Sequence, residues 1–386
     1  MNRRRFLGHL VRVPLASGLG LALPLRPLIV AVGCATPPRE NAQRLTPALK
    51  VLRDVLQTEA QEAADPWSIC HAMLGVGPTL QLTNGKPAID HLIETFLRRD
   101  ANGRPYFEVE GSNGQVGEQH PFLVLKKLVE MNLQPELWRP LAEGGLEKQR
   151  RPLNAADWDG ITWLLWAAVQ LPGYSAGTVV GPDKVTLGDL AQGVVERVEL
   201  GDRPVEASLS TNGEAGFKRP SANDPSARDS IWRYTCGGQH LLQTLIACQE
   251  RGYLPAEART RVEARIVTFV RRLNGEANSR SGERRRGLEE KVDPRMVEHY
   301  YALDILKLLG HGLETLGRAR DAGLGSEPAL ARAAREAIQR LDASQVGLQR
   351  TMALGPFLAS MRQKSPVTWR QWIGDGCHTL HGLGYW

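Results

Sequence analysis

Cysteine and histidine recur in this chain at spacings that a helix turns into pairs. Cys236 and His240 stand one helical turn apart, and Cys377-His378 lies between Asp375 and His381 in a second short stretch. Thiolate and imidazole are zinc ligands, and a catalytic zinc needs three protein ligands and one open position. Cys236, His240, Cys377 and His378 are therefore the candidate metal ligands. Zinc–sulfur bonds of ~2.3 Å would bring the two sulfurs within about 4 Å of each other. Neither a CxxC pair nor an HExxH motif reinforces the pattern. Gly237-Gly238 falls inside the first pair, and a glycine costs ~1 kcal/mol within a helix, which puts the helix start as late as Gln239.

A second set of residues fits proton abstraction. His299, Tyr300 and Tyr301 are consecutive and, with Asp375, supply general acids and bases. Arg233-Tyr234 adds a cation and a phenol, and Trp158, Trp163 and Trp232 offer faces on which a sugar can stack. That set resembles the base machinery of exported α/α-toroid polysaccharide lyases, which implies lysis of a uronate polysaccharide. Core packing is the plain alternative for each aromatic, and a buried Cys or His is more often structural than reactive.

Placement gives these residues more weight than their identity does. Six stretches are apolar nearly all round: Trp67–Val76, Pro121–Met131, Trp158–Leu171, Ile231–Cys248, Val297–Leu316 and Trp369–Leu383. Helices without a polar face are buried on every side. Between them run amphipathic helices, with one apolar stripe, after Pro47 and at Ala88–Arg99, Thr186–Leu200, Ala256–Leu273 and Leu330–Leu341. The alternation predicts an all-α fold, an α/α toroid of about five to six helical hairpins with a small β insertion around Tyr106–Val109. An irregular helical bundle is the alternative.

In a toroid the inner helices run the same way. Cys70-His71, His120, Asp159, Thr235-Cys236, Gln239-His240, His299–Tyr301 and Asp375–His381 would then converge on one mouth. The body is read as one domain over residues 47–386, with loops at 200–229 and 274–293.

Three toroid families resemble parts of this pattern. Asp375-Gly376-Cys377 before an apolar helix resembles a zinc-ligand segment of protein prenyltransferase β-subunits. Cys377-His378 resembles the Cys-His pair of lanthionine-forming cyclases, which also hold zinc. His299-Tyr300-Tyr301 resembles the Asn-Asn-His-x-Tyr segment of alginate-lyase folds, with Val297-Glu298 in place of the asparagines. The glycine- and aromatic-rich repeats of the first family and the fuller Cys-Gly motif of the second are missing. What the resemblances imply is zinc at Cys377 and an adjacent group, or base chemistry at His299–Tyr301. A non-catalytic scaffold or binding protein stays open beside both.

The N-terminus carries an address. Arg3 and Arg4, then Arg5, Phe6 and Leu7, resemble the twin-arginine translocation motif, and residues 1–33 form a charged and then apolar export signal. Ala31-Val32-Gly33-Cys34 resembles a bacterial lipobox, which implies acylation of Cys34 and a membrane anchor, with 34–46 as a tether. The protein is thus expected in the cell envelope, facing the periplasm, with the membrane as partner. Of the net charge of +6, five units reside on Arg3, Arg4, Arg5, Arg12 and Arg26, so the mature chain at +1 has no global attraction to nucleic acid. A small molecule or polysaccharide is the expected ligand. Cys70, Cys236, Cys248 and Cys377 are an even number, which an oxidising compartment would allow to pair in three ways.

Overall fold

The computed structural model describes residues 45–109, 117–133, 135–152, 154–220 and 229–386. The export signal, Cys34 and all but the end of the 34–46 tether lie outside them.

Helices start where capping residues stand. Thr46 caps α1 (Pro47–Ala60), accepting from Leu49 N. Asp65 and Ser68 form a reciprocal capping box on α2 (Pro66–Val76), with Pro66 preset for the first turn. Each such cap contributes ~1 kcal/mol. α3 (Ala88–Phe96) ends three residues before the expected Arg99, because Leu97–Arg99 (β1) turns back to pair antiparallel with Pro105–Phe107 (β2). This hairpin is the small β insertion. Glu118 then accepts from Phe122 N and Val124 N, capping α4 (Leu123–Glu130) after a left-handed Phe122.

α5 (Pro135–Lys148) and α6 (Ala155–Ala168) follow, and Asn154 with Asp157 boxes the start of α6. A two-residue hairpin, Val179–Val180 (β3) and Val185–Thr186 (β4), leads into α7 (Leu187–Asn212). After a pair of tight turns come α8 (Gln239–Glu250), α9 (Ala258–Glu289), α10 (Pro294–Asp321), α11 (Glu327–Thr351), α12 (Leu354–Lys364) and α13 (Pro366–Leu383).

Two expected loops, 200–229 and 274–293, are helical in part, and 221–228 of the first lie outside the described residues. Residues 200–212 continue α7 through Pro204, because Val205 and Leu209 keep a buried face and α7 packs along α9. Arg265 binds Glu206 at 2.7 Å and lies 3.6 Å from Asp202 across that seam. Residues 274–289 continue α9, since the charges read as a flexible link are spaced to pair. Arg280 meets Glu283 at 2.8 Å along the helix and Asp304 of α10 at 3.4 Å, while Arg284 grips Glu298. Such pairs each add a few tenths of a kcal/mol to a helix.

The fold is all-α. α2, α4, α6, α8, α10 and α13 each pack on the next, and α13 packs back on α2, closing a circuit of inner helices. These are the segments the sequence shows as apolar all round. α1, α3, α5, α7, α9, α11 and α12 pack outside them. Glycines let α10 and α13 approach closely: Gly382 lies against the Gly310 carbonyl, and Gly310 against Thr379. Among the described residues no helix is long and apolar enough to cross a membrane.

Candidate metal centre

The inner circuit does not have an apolar axis. Where its helices open at one end lies a cavity of about 460 Å³, to which each of the six contributes: His71, Leu123, Asp159, His240, His311 and His378 all line it. His120 also lines it, edge-on to Trp163 at 5.0 Å.

Cys236 reaches the cavity from an unusual backbone. It sits at φ 51°, ψ 35°, and Gly237 and Gly238 follow with φ of 62° and 72°, three left-handed residues in a row before α8. For a side chain bearing a Cβ this conformation costs ~1–2 kcal/mol. Neighbours hold it in place. Asp159 accepts from both Thr235 N and Thr235 Oγ1 at 3.0 Å, and Arg272 Nη2 donates to Gly237 O at 2.8 Å. Strain maintained by surrounding contacts is a mark of functional sites.

That turn sets Cys236 beside two histidines. Ligand atoms of Cys236, His240 and His311 all lie within 4.8 Å of one another, and those of His311, Glu314 and His378 form a second such set. The two sets could hold a metal ion. The His240 and His311 rings are 5.0 Å apart and nearly perpendicular. His240 Nδ1 is engaged by Lys126 Nζ at 3.0 Å and Gln243 Oε1 at 3.3 Å, which leaves Nε2 as its free nitrogen. His311 Nδ1 lies 3.7 Å from Glu314, and His311 Nε2 lies 3.9 Å from Asp375. At that distance Glu314 acts on His311 through its charge, and His311 Nδ1 makes no hydrogen bond.

Beneath the cavity the polar groups continue. Glu130 is bound by Lys127 at 2.9 Å and Arg318 at 2.6 Å, with Lys126 at 3.4 Å. Glu314 accepts from His378 Nδ1 at 2.8 Å and His381 Nδ1 at 2.7 Å. Gln243 Nε2 donates to Thr315. All these groups are at least half-buried, so each needs its partners.

Burial and charge tune the site. Burial opposes the His311 cation, yet Cys236 and Glu314 outweigh it and lift His311 to about 9. Burial pushes Glu314 up, but the imidazoles of His378, His311 and His381 hold it well below the carboxylate range. Burial, with Lys126 nearby, keeps His240 neutral, and burial keeps His71 and His378 neutral too. Lys126 is drawn down to about 8 by burial despite Glu130. Desolvation raises Asp375 and Asp159 to about 6 each, against Lys307 and Thr235 respectively.

Several expected residues meet here, and others do not. His71, His120, Asp159, Cys236, Gln239, His240, Asp375 and His378 all line the cavity. Cys377 does not join Cys236. Gln371, Asp375 and His378 occupy the cavity stripe of α13 at i, i+4 and i+7, which turns Cys377 onto the adjacent face against Gly75 of α2. There burial raises its thiol to about 12. Cys70 and Cys248 are likewise buried and raised, and all four described cysteines are free thiols.

The triplet on α10 is not at the mouth either. His299 packs against Phe357 and Trp372, Tyr300 is 59% exposed, and Tyr301 bonds Ser281 of α9. They lie a turn or more before Asp304, Lys307 and His311, which form the cavity stripe of α10. The sequence reading passed over His311, Glu314, Lys307 and Lys126. Their signal was present: a His and a Glu at i, i+3 inside an otherwise apolar inner helix.

No family model, curated protein or solved structure matches the chain.

Proposed function

We propose that the protein is an exported, lipid-anchored enzyme that binds a zinc ion through Cys236, His240 and His311 and uses it on a small substrate in the cavity. The observation that carries this reading is the convergence of one thiol and two imidazoles in one cavity, with His240 hydrogen-bonded from behind and a carboxylate 3.7 Å from His311 Nδ1. One soft and two borderline ligands with a fourth position open is the ligand set of catalytic zinc.

When bound there, zinc supplies Lewis acidity and an activated water. The chain supplies the rest. Asp375, beside His311 and titrating near 6, accepts a proton at neutral pH. Lys307 also lines the cavity and faces developing negative charge. The Lys126–Gln243 pair holds His240, and Glu314 sets a negative charge beside His311. Metal-assisted hydrolysis or elimination is the reaction class that fits. Envelope location rests on Arg3, Arg4, Phe6, Leu7 and Cys34 of the sequence.

One observation favours a second reading. A strained cysteine directly before a helix N-terminus, facing a histidine raised to about 9, is also an arrangement for a thiolate nucleophile. Metal analysis of the full chain, purified without chelator, separates the two. The expected result is one zinc per chain, lost in Cys236→Ser and His311→Gln. Absence of zinc, with activity destroyed by alkylation of Cys236, would replace the metal reading with the nucleophile. Stoichiometric zinc retained in Cys236→Ser would overturn both. Cys34→Ser tests the anchor: the wild type should carry acyl groups and sediment with membranes, and the variant should not.

A further inference from the structure

The charges around the cavity do not balance among themselves. Four carboxylates line it against five cations, Arg219, Arg233, Arg272, Arg280 and Lys307. Asp159 accepts from Thr235, and Glu276 accepts from Arg272 at 2.6 Å and Trp232 Nε1 at 2.8 Å. Asp304 meets Arg280 at 3.4 Å, and Asp375 lies 3.9 Å from the His311 imidazole. The cations are in excess. Arg272 and Arg280 are consumed by those pairs, whereas Arg219, Arg233 and Lys307 have no hydrogen bond or ion pair among the described residues.

All three are exposed, and one of them is held against an aromatic ring. Arg219 lies over the Trp232 ring, 5.3 Å from its centroid, and Arg272 over the same ring at 5.5 Å. An indole with two guanidinium groups near its ring gives the cavity an aromatic, cationic wall. Lys307 stands on α10 one turn before His311, so its charge is directed at the space above the three candidate ligands. A free cation at a cavity rim is poised to donate charge-assisted hydrogen bonds, which are about twice as strong as neutral ones.

We propose that the cavity recognises a substrate bearing an oxyanion, a carboxylate or a phosphate, held by Arg219, Arg233 and Lys307 while the rest of the molecule extends toward Cys236, His240 and His311. The oxyanion then selects the substrate and the deeper residues act on it. This rests on the cavity being the active site, but it does not depend on a metal being there. Cationic recognition also explains why three of the four carboxylates of the wall are tied up, by Thr235, Arg272 and Arg280: left free, they would repel the ligand.

The test is calorimetric titration of the full chain, stripped of metal by a chelator, with inorganic phosphate and separately with glucuronate. At least one anion is expected to bind, more weakly as salt is raised. Arg233→Gln and Lys307→Gln should each lose about tenfold in affinity, and Arg219→Gln a comparable amount, with unchanged melting temperatures. Arg285→Gln, on the exposed face of α9, should bind as the wild type does. Preference for glucuronate over phosphate would identify a carboxylate substrate, and the reverse a phosphoryl one. Failure of both anions to bind, or binding unchanged in the Arg233→Gln, Lys307→Gln double variant, would overturn the proposal. Zinc titrations in the same samples keep the two ideas apart. Anion binding without zinc binding removes the metal alone, and zinc binding without anion binding removes the recognition alone.

Discussion

Cys236 and Cys377 begin alike in the sequence and end in opposite roles. Each has a histidine nearby and an inner helix around it or directly after it. Cys236 is held on a left-handed turn, half-buried, with His240 and His311 around its sulfur. Cys377 lies within regular helix, wholly buried, with its Cα and Cβ pressed on Gly75. A helix fixes which way each side chain faces, and one position along α13 turns a side chain about a quarter of the way round. Usefulness therefore came to the cysteine whose backbone left the helix, at a cost in local strain.

Alkylation breaks or confirms this contrast most sharply. In metal-free protein, Cys236 should react with iodoacetamide faster than Cys377, Cys70 and Cys248 by on the order of a thousandfold. The buried three must wait for local opening and have raised thiols, while Cys236 opens on the cavity. Peptide mapping over a time course measures it, and comparable rates would mean that the turn does not present Cys236. Added zinc should protect Cys236 alone.

Zinc affinity comes next. Cys236→Ser should weaken it by at least about a hundredfold, and Cys377→Ser should leave it within about twofold. Glu314→Gln, which touches no metal but stands behind His311, should cost roughly 10–100-fold. Competition with a chromophoric chelator reads all three. Equal losses in the two cysteine variants would restore the sequence expectation that both are ligands.

The class of the fold and the identity of the inner helices were legible in the sequence, because burial on all sides leaves no polar stripe and six segments lacked one. Their meeting at one cavity followed from alternation. Rotation about each helix axis did not follow. Whether Cys377 or His378 faces the axis depends on the pitch of α13 against α2 and α10, which no local pattern records. The charge runs of α9 misled for a related reason. Arg280, Arg284, Glu283 and Glu298 read as a solvated link until the partner helix that pairs them is in view. His311 and Glu314 were hidden in plain sight, as lone polar residues in an apolar helix that packing alone would explain.

Titration supplies a milder test. In metal-free protein His311 holds a proton up to about 9, above its ordinary 6.5, so it must give one up to bind zinc. Zinc affinity should rise by up to about tenfold per pH unit toward pH 9 and then level off. The metal-free fold should behave oppositely. A raised pKa contributes stability that is whole below 6.5 and is lost as pH climbs through 9, so its melting temperature should fall across that window. Glu314→Gln should flatten both dependences.

The smallest effect concerns the structural cysteine. A Cβ added at Gly75 would stand 2.6 Å from both Cα and Cβ of Cys377 and 2.9 Å from its carbonyl oxygen. Those are main-chain and first side-chain atoms, so trimming the thiol cannot make room. Gly75→Ala should therefore cost about 1–3 kcal/mol by forcing α2 and α13 apart, as over-packed cores do. Cys377→Ala removes only a buried sulfur and should cost ~1 kcal/mol. The double variant should show no rescue, with a denaturation midpoint at least as low as that of Gly75→Ala. A midpoint restored by Cys377→Ala would mean that the thiol, rather than the helix backbone, occupies the space beside Gly75. Cys377 would then be free to turn, and its exclusion from the cavity would rest on packing that a single rotamer change could undo.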